Sequence, residues 1–283
     1  MRRTIVPVFG DLHGGHKLAL MSPTVTLYDE TPKGEAVPYT PNLTASQRYL
    51  WELWTKDILL IRELAAGDEI LPILNGEPCW GDKHPAGLVS TRKADQTEIA
   101  VANLSVWLDL PEVKHFRIAT GTEAHNFGEG SAEFEIAKRL QAEYKDKDVK
   151  ALNHGLLTIN GVTIDYAHHG PTSGSRMWLR GNEARYYLRD IMLREITRRN
   201  EPPRVVCRAH FHDPVHETLR VAGHTSDLMI TPSFLMLTDF ARKVVKSPSY
   251  LTNGIAALEI VDGKLIEIHE FYETVDLRTE ETL

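Results

Sequence analysis

Cysteine is scarce in this 283-residue sequence, in which only Cys79 and Cys207 occur, far apart along the chain. Two distant cysteines form no disulfide framework, so we expect no disulfide partner and a reducing compartment such as the cytoplasm. Long apolar runs are also absent, and the Met-Arg-Arg-Thr start has no apolar core of a signal peptide. We therefore expect a cytoplasmic protein without a membrane partner.

Positive charge is in deficit as well, since 32 lysines and arginines face 39 aspartates and glutamates for a net charge of −7. This balance argues against a uniformly basic surface for nucleic acid, although it leaves room for a local basic patch or for bound metals. A chain of this length can bury an ample apolar core. No linker divides it, so we expect a single domain over residues 1–283.

In the first half of the chain, predicted strands alternate with predicted helices. The strands cover residues 4–9, 69–74 and 115–120, and the helices cover 44–66 (beginning at Thr44 or Ser46), 93–108 and 132–144. This order favours parallel pairing through right-handed crossovers. The Gly-, Pro- and Thr-rich residues 14–43 are predicted to form a long, mostly irregular loop, and such a loop is usually functional.

The second half has a different pattern. Asn160-Gly161 and Asp262-Gly263 each stand between two apolar runs, which predicts two β-hairpins. A helix is predicted over 182–199, and strands over 204–209, 219–222 and 228–230. Together the two halves predict an α/β fold, a mixed β-sandwich flanked by helices, with the strand-end loops meeting at one edge.

Four patches of metal-ligand residues each follow a predicted strand. They are Asp11-Leu12-His13, Asn75-Gly76-Glu77, His168-His169-Gly170 and His210-Phe211-His212. Carboxylate oxygens and imidazole nitrogens suit hard or borderline divalent cations. We therefore expect the loops to hold two divalent metals, which points to hydrolysis of phosphate esters. His168 is interpreted as a neighbour that orients His169.

The patches resemble, in their order, the motifs of the calcineurin-like metallophosphoesterase superfamily. The matching segments are Gly10-Asp11-Leu12-His13-Gly14, Asn75-Gly76-Glu77, Gly121-Thr122-Glu123-Ala124-His125, His169-Gly170 and Ala209-His210-Phe211-His212. They span residues 10 to 212, which is most of the chain. The long loop after the first motif is most similar to phosphoesterases of bacteriophage and prophage genomes, which would place the protein in a host cytoplasm.

The resemblance implies a β-sandwich with the metals at the strand ends. Asp11, His13 and His212 would hold the first metal, and His169 and His210 the second. A carboxylate after the second strand would bridge them, and a bridging hydroxide would be the nucleophile. Mn²⁺ is the expected ion, with Fe²⁺, Zn²⁺ and Ni²⁺ as alternatives because such ligands suit several ions.

Two positions depart from the family pattern. Glu77 stands where the family has a bridging aspartate, and Asp82 is its rival for that role. The third motif has Thr122-Glu123 where the family has an asparagine ligand. Glu123 is the expected replacement, with Thr122 and Asn126 as alternatives, and His125 is expected to act as the general acid, in its neutral form.

The residues that would bind substrate carry weaker signals. His16 on the long loop, Trp80 directly after Glu77, and Arg180 after His169 are candidates, with Arg176 and Asn182 nearby. Trp80 could stack a base or simply be buried. The expected substrate is a phosphodiester, with nucleic acid or a nucleotide as the partner molecule. A phosphomonoesterase and a catalytically silent metal-binding protein are the alternatives.

Overall fold

The structure is a computed structural model that describes residues 2–127, 131–174, 176–244 and 248–282. Its β-strands are β1 (Arg3–Phe9), β2 (Leu27–Glu30), β3 (Ala36–Tyr39), β4 (Glu69–Ile70), β5 (Ile73–Leu74), β6 (His115–Ala119), β7 (Asp148–Leu152), β8 (Gly155–Ile159), β9 (Val162–Tyr166), β10 (Val205–Arg208), β11 (Val215–Val221), β12 (His224–Ile230), β13 (Tyr250–Val261) and β14 (Lys264–Asp276). Its α-helices are α1 (Ala45–Ala65), α2 (Lys93–Leu108), α3 (Ser131–Glu143), α4 (Asn182–Thr197) and α5 (Asp239–Val244). Short 3-10 helices span Glu123–His125 and Met177–Leu179.

Most strands belong to two mixed sheets. One sheet has the order β14-β13-β1-β5-β6-β7, with β4 also paired to β1, and its strands β1, β5, β6 and β7 run parallel. The other has the order β11-β12-β10-β9-β8, in which β10 runs parallel to both β9 and β12. The mixed α/β prediction is therefore confirmed, and both predicted hairpins form, as β8–β9 and β13–β14.

The two sheets pack face to face, with helices on their outer faces. Along β1, Val6 and Val8 join a core shared with β9, β10 and β12, whereas Ile5 and Phe9 join the core under α1 and α2. This alternation follows from the two-residue period of a strand. Phe9 stacks on Trp107 at 5.6 Å between ring centroids. On the far side, α4 covers the second sheet.

Local signals explain where α1 begins and ends. Thr44 is its N-cap: the Oγ1 of Thr44 accepts from the backbone N–H of Gln47 at 3.2 Å, and Gln47 Oε1 accepts from the N–H of Thr44 at 2.9 Å. This reciprocal pair is a capping box. At the other end Ala66 takes a left-handed conformation before Gly67.

The structure corrects the predicted elements in three places. The segment 14–43 is mostly irregular, as predicted, but it contains the hairpin β2–β3, which was not expected. The predicted strand 69–74 is divided into β4 and β5 around Pro72, which has no N–H to donate to a sheet. Strand β7 was not expected, yet it extends the larger sheet beyond β6. Among the described residues, no helix has both the length and the apolar character that crossing a bilayer requires.

Candidate metal centre

Main-chain hydrogen bonds tie together the loops that carry the ligand candidates. The N–H of Asp11 donates to Gly76 O at 3.1 Å, and the N–H of His13 donates to Glu77 O at 3.0 Å. The N–H of Ala209 likewise donates to His168 O at 2.9 Å. Since β1 and β5 are parallel, and β9 and β10 are too, these loops leave each sheet at the same edge.

A first group of ligand atoms comes from Asp11, His13, Glu77 and His212, whose donor atoms all lie within 4.8 Å of one another. Asp11 Oδ1 lies 3.1 Å from His212 Nε2, and Glu77 Oε2 lies 3.3 Å from His13 Nε2. The two imidazole nitrogens, His13 Nε2 and His212 Nε2, are 3.2 Å apart. All except His212 are fully buried.

A second group consists of Glu77, His168 and His210, again with donor atoms within 4.8 Å. His168 Nε2 lies 3.1 Å from Glu77 Oε1. His168 Nδ1 lies 2.7 Å from the carbonyl oxygen of Asn75, which can only accept, so the neutral ring carries its proton on Nδ1 and turns a lone pair towards the group. Glu77 is common to both groups, one oxygen to each. Asp82 belongs to neither group of described residues.

The ligand candidate His169 supplies no donor atom to either group, although its ring centroid lies 5.0 Å from that of His210. Its side chain is exposed, and it belongs to neither group among the described residues. Strand β9 explains why, because Val162, Ile164 and Tyr166 point into the core between the sheets and His168 continues that two-residue phase. Extending the alternation past the strand would have favoured His168 from sequence alone.

The backbone at the ligand candidates is unusual. Left-handed φ angles occur at five of them: Asp11 (54°), His13 (48°), Glu77 (57°), His210 (78°) and His212 (58°). Each such conformation costs on the order of 1–3 kcal/mol, and such residues gather at functional sites when the surrounding contacts hold them. One of those contacts joins the first and last patches, since Asp11 Oδ2 accepts from the N–H of His210 at 3.0 Å.

Two glycines let the ligand side chains approach the backbone. Gly76 has φ +93°, and a Cβ there would lie 2.4 Å from His168 Nδ1. A Cβ on Gly121 would lie 2.4 Å from Glu77 Cγ. Larger residues at either position would displace Glu77 or His168.

The third motif supports Glu77 in a way that the sequence did not indicate. Thr122 donates to Glu77 Oε1 from both its backbone N–H, at 3.1 Å, and its Oγ1, at 2.5 Å. Glu123, the expected ligand, is exposed and belongs to neither group of described residues. Asn126 instead caps α3, because its Oδ1 accepts from the N–H of Ala132 at 2.8 Å. The structure therefore brings neither Glu123 nor Asn126 to the metal candidates.

His125 faces the first group. Its Nε2 lies 3.9 Å from Glu77 Oε2, and its ring centroid lies 4.4 Å from that of His13. Its Nδ1 lies 2.7 Å from the carbonyl oxygen of Trp80, so the neutral ring carries the proton on Nδ1. The expectation of a neutral acid changes accordingly, because only the doubly protonated ring has a proton on Nε2 to give.

The two groups lie at one end of a groove of about 1530 Å³. Its walls include His13, Glu77, Trp80, His125, His210 and His212 together with Arg176 and Arg180. Trp80 is 7% exposed, so it forms a wall and offers little face for stacking a substrate. His16 stacks on Trp80 at 4.3 Å, is itself buried, and does not line the groove, contrary to its expected contact with substrate. Arg180 does line it, with Nη2 held by Asp213 Oδ1 at 2.8 Å.

The two buried carboxylates and the histidines around them shift one another's pKa values. Burial favours the neutral form of Glu77, but the hydrogen bond from His168 and the nearby His13 hold its pKa well below the usual range. Burial would also lower the pKa of His168, but the Asp11 and Glu77 carboxylates outweigh it and raise that pKa to about 9. The pKa of His212 is raised by Asp11 in the same way, against burial. Two buried carboxylates thus draw positive charge into the site.

This donor set fits divalent cations. Two buried carboxylates and four imidazole rings supply oxygen and nitrogen donors of the kinds that Mn²⁺, Fe²⁺, Zn²⁺ and Ni²⁺ accept. The ring nitrogens His13 Nε2 and His212 Nε2 lie only 3.2 Å apart, and each also lies beside a buried carboxylate oxygen. This convergence of donor atoms is consistent with ligand positions.

A third cluster of potential ligands, Glu259, Glu267 and His269, lies on the β13–β14 hairpin. Arg3 Nε already pairs with Glu259 Oε1 at 2.8 Å, and His269 Nε2 lies 2.9 Å from Glu259 Oε2. This cluster is therefore a surface ion-pair network and not a second metal centre.

Searches with protein-family models and among curated proteins found no match. Among solved structures, a metallophosphoesterase from Sphaerobacter thermophilus is 10% identical with a TM-score of 0.35, over 97% of this chain and 89% of that one. Sulfate thiohydrolase SoxB of Thermus thermophilus is 11% identical with a TM-score of 0.37, over 98% of this chain, which spans 57% of SoxB. A Thermotoga maritima protein solved by NMR is 16% identical with a TM-score of 0.31, over 61% and 87% of the two chains. Because these TM-scores lie below 0.5, any function must be argued from the site itself.

Proposed function

We propose that the protein is a divalent-metal-dependent hydrolase of phosphate esters, with a preference for diesters. One observation carries the proposal: Glu77 is common to two groups of ligand atoms at the end of an open groove. A carboxylate between two sets of imidazole ligands is the arrangement that a two-metal phosphoesterase needs. The motif order in the sequence, which resembles the calcineurin-like metallophosphoesterases, supports the same reading.

In this proposal, Asp11, His13 and His212 hold one ion, His168 and His210 hold the other, and Glu77 bridges them. The ligand His168 replaces the expected His169. Bound metals would polarise the phosphoryl oxygens and lower the pKa of a water molecule. The contact of Asp11 Oδ2 with the N–H of His210 fixes the spacing of the two groups, and Thr122 fixes the orientation of Glu77.

His125 is proposed as the general acid. The carbonyl oxygen of Trp80 fixes Nδ1, so that Nε2 points towards the first group from the groove side. The doubly protonated ring would donate its Nε2 proton to the departing alkoxide. Arg180, which lines the same groove, is proposed to bind an oxygen of a substrate phosphate next to the reacting one.

The preference for diesters is supported by the size of the groove. A volume of about 1530 Å³ extends from the ligand groups past Arg180 to Tyr250 and Thr252 on β13, which leaves room for the second ester substituent of a diester. Mn²⁺ is the ion proposed for the first assays.

The test is hydrolysis of a chromogenic diester and its matched monoester with Mn²⁺, by wild type and Asp11→Asn, with Asp146→Asn as a control at an exposed position. Diester hydrolysis that is lost only in Asp11→Asn supports the proposal. Hydrolysis of the monoester alone overturns the diester preference. If the protein binds metal but turns over neither substrate with Mn²⁺, Fe²⁺, Zn²⁺ or Ni²⁺, the proposed enzymatic activity is overturned. That result indicates a catalytically silent metal-binding protein.

A further inference from the structure

The charge of this chain is unevenly distributed. Between Arg176 and Arg204 there are eight arginines and no lysine against four carboxylates, a local charge of +4 in a chain of net charge −7. The arginines are Arg176, Arg180, Arg185, Arg189, Arg194, Arg198, Arg199 and Arg204. This segment includes α4 and the short 3-10 helix Met177–Leu179 before it. Three of these arginines pair with carboxylates outside the segment, Arg180 with Asp213, Arg185 with Glu217 and Arg204 with Asp227, so the excess falls to +1 when these partners are included.

The N-terminal end of this basic segment borders the metal candidates. Arg176 and Arg180 line the same groove as His210 and His212. Arg180 Nη2 contacts Asp213 Oδ1 at 2.8 Å and Pro214 O at 2.5 Å, so its guanidinium is fastened to the loop that directly follows His212. Both contacts use Nη2, while Nε and Nη1 carry further N–H donors.

Acidic residues along the groove neutralise part of this basic segment. Asp213 pairs with Arg180, and Glu217 Oε2 lies 2.6 Å from Arg185 Nε. Glu270 also lines the groove. The groups that can still contact an anion at this border are Arg176 and the remaining N–H donors of Arg180.

A tryptophan stands between the two groove arginines. Trp178 is 75% exposed, which is unusual for so large an apolar side chain, and the guanidinium carbon of Arg176 lies 5.5 Å from its ring. An exposed indole face beside cationic side chains is the combination that binds unpaired nucleobases, because bases stack on the ring while arginines contact phosphates. Trp80, by contrast, is buried and offers no such face.

We propose that Arg176, Trp178 and Arg180 form a platform for a single-stranded polynucleotide. Binding to this platform places one phosphodiester group of the strand at the metal centre. The inference rests on the proposed function and adds its substrate class. Trp178 stacks a base of the strand, and the two arginines contact phosphates that flank the one at Glu77. A duplex, whose bases are already stacked, lacks the face that Trp178 would bind.

The experiment uses the full chain with Mn²⁺ and a fluorescein-labelled 20-nucleotide single strand whose phosphorothioate linkages slow its hydrolysis. Fluorescence anisotropy gives Kd for this single strand and for its duplex with the complementary strand, with wild type, Trp178→Ala and the double variant Arg176→Ala/Arg180→Ala. Phe134→Ala, an exposed aromatic on α3, and Arg62→Ala, an arginine of similar exposure paired with Glu112, are the matched controls. Hydrolysis of an ordinary oligonucleotide and of the small chromogenic diester is measured in parallel.

We expect Trp178→Ala to weaken single-strand binding about 10-fold, the usual range for one stacked base. In the double arginine variant, the affinity should also depend less on salt. The negative slope of log K against log salt concentration should become shallower by roughly 1.4, at about 0.7 for each lost phosphate contact. In both variants the loss of kcat/KM on the oligonucleotide should exceed the loss on the small diester. The controls should bind as wild type does.

Three outcomes would overturn the inference. They are no binding of the single strand, equal binding of single strand and duplex, and equal losses on oligonucleotide and small diester in Trp178→Ala. In each case, continued hydrolysis of the small diester by wild type would leave the proposed function standing. Failure to hydrolyse the small diester would instead count against the proposed function itself.

Discussion

Two of the regions in which the described residues bury carboxyl groups have opposite surroundings. Asp11 and Glu77 at the sheet edge are 0% and 1% exposed, and Asp57 on α1 is 2% exposed. Burial favours the neutral form in both regions. At the sheet edge, imidazole rings outweigh burial and hold the pKa of Glu77 well below its usual range. At Asp57 burial prevails over the opposing charge of Lys56, and it raises the pKa to about 7.

The difference lies in the partners of the carboxylates. Glu77 is surrounded by Thr122 donors and by nitrogens of His13 and His168, whereas Asp57 Oδ2 has no hydrogen-bond partner among the described residues. A buried charge persists only where donors or cations compensate it. The surroundings of Glu77 therefore keep its carboxylate ionised, as a cation site requires, whereas the surroundings of Asp57 do not.

The largest expected effect comes from replacing Asp11, one of the two buried carboxylates at the metal candidates. Asp11→Asn keeps the size of the side chain but removes a proposed metal ligand. Metal-ion stabilisation of a transition state is worth several kcal/mol, and each 1.36 kcal/mol is tenfold in rate, so we expect kcat/KM to fall by roughly 10³-fold or more. Steady-state kinetics with Mn²⁺, together with the metal content of the purified protein, measures this.

Asp57→Asn is the matched control for that comparison, because it removes a buried carboxylate far from the metal candidates. It should keep both the bound metal and the turnover of wild type. Similar losses of activity in Asp11→Asn and Asp57→Asn would indicate that buried charge matters only for folding, and would count against a metal role for Asp11.

The next largest effect is a loss of metal affinity that should distinguish two adjacent histidines, His168 and His169. His168 is buried with Nε2 towards Glu77, whereas His169 is exposed. Loss of a group that merely orients a ligand reduces metal affinity by about 10–100-fold, so loss of the ligand His168 itself should reach at least the upper end of that range. His169→Ala should change the affinity less than about threefold, well below that range. Titration of the metal-free protein with Mn²⁺ measures both, and a larger loss in His169→Ala would restore the assignment made from the sequence.

These two histidines also show what the sequence could and could not predict. The alternation along β1, the Thr44 cap of α1, and the Asn160-Gly161 and Asp262-Gly263 hairpins depend on neighbouring residues, so local patterns were sufficient. The order of the four ligand patches along the chain could likewise be recognised from the sequence. The assignment of His169 followed the family motif, whereas the phase of β9, which the motif does not contain, places His168 at the site.

The third motif was less predictable for a similar reason. Glu123 has the right chemistry for a ligand, but the 3-10 helix Glu123–His125 leaves it exposed and brings Thr122 to Glu77 instead. Sequence spacing does not reveal such a turn. The raised pKa of Asp57 was equally hidden, because one of its causes is Glu273, which is more than 200 positions away in the chain.

Replacing His125 should lower the rate of hydrolysis by a smaller factor. His125 lies beside Glu77 but belongs to neither ligand group of the described residues. General acid catalysis contributes about 10²–10⁴-fold, mostly where the leaving group is a poor one. His125→Ala should therefore lose about 100-fold on an alkyl diester and much less on a nitrophenyl diester, while it retains its metal. Measured rates on a series of leaving groups give this dependence, and equal losses across the series would argue against the acid role.

The smallest effect concerns stability at Asp57, the uncompensated carboxylate. Folded protein holds the Asp57 proton up to a pKa of about 7, whereas the unfolded chain releases it near 3.8. The folded state therefore binds more protons between these values, and the free energy of unfolding falls by about 1.4 kcal/mol per pH unit as pH rises through this window. Two other groups near Asp57 add no neutralising charge to it. They are the carboxylate of Glu273, which lies 3.4 Å from Lys56 Nζ, and the buried hydroxyl of Tyr49.

Asp57→Asn removes this titration, so its stability relative to wild type should increase from pH 4 to pH 7 and stay constant above. Urea denaturation of both proteins across that range, with Asp146→Asn as the exposed control, measures the difference. A difference that does not vary with pH would show that Asp57 finds a compensating partner, and the contrast with Glu77 would then lose its basis. A rising difference would establish that burial, with the nearby Glu273 carboxylate, raises the pKa of an uncompensated carboxyl group in this fold, so that the low pKa of Glu77 must come from the histidines that surround it.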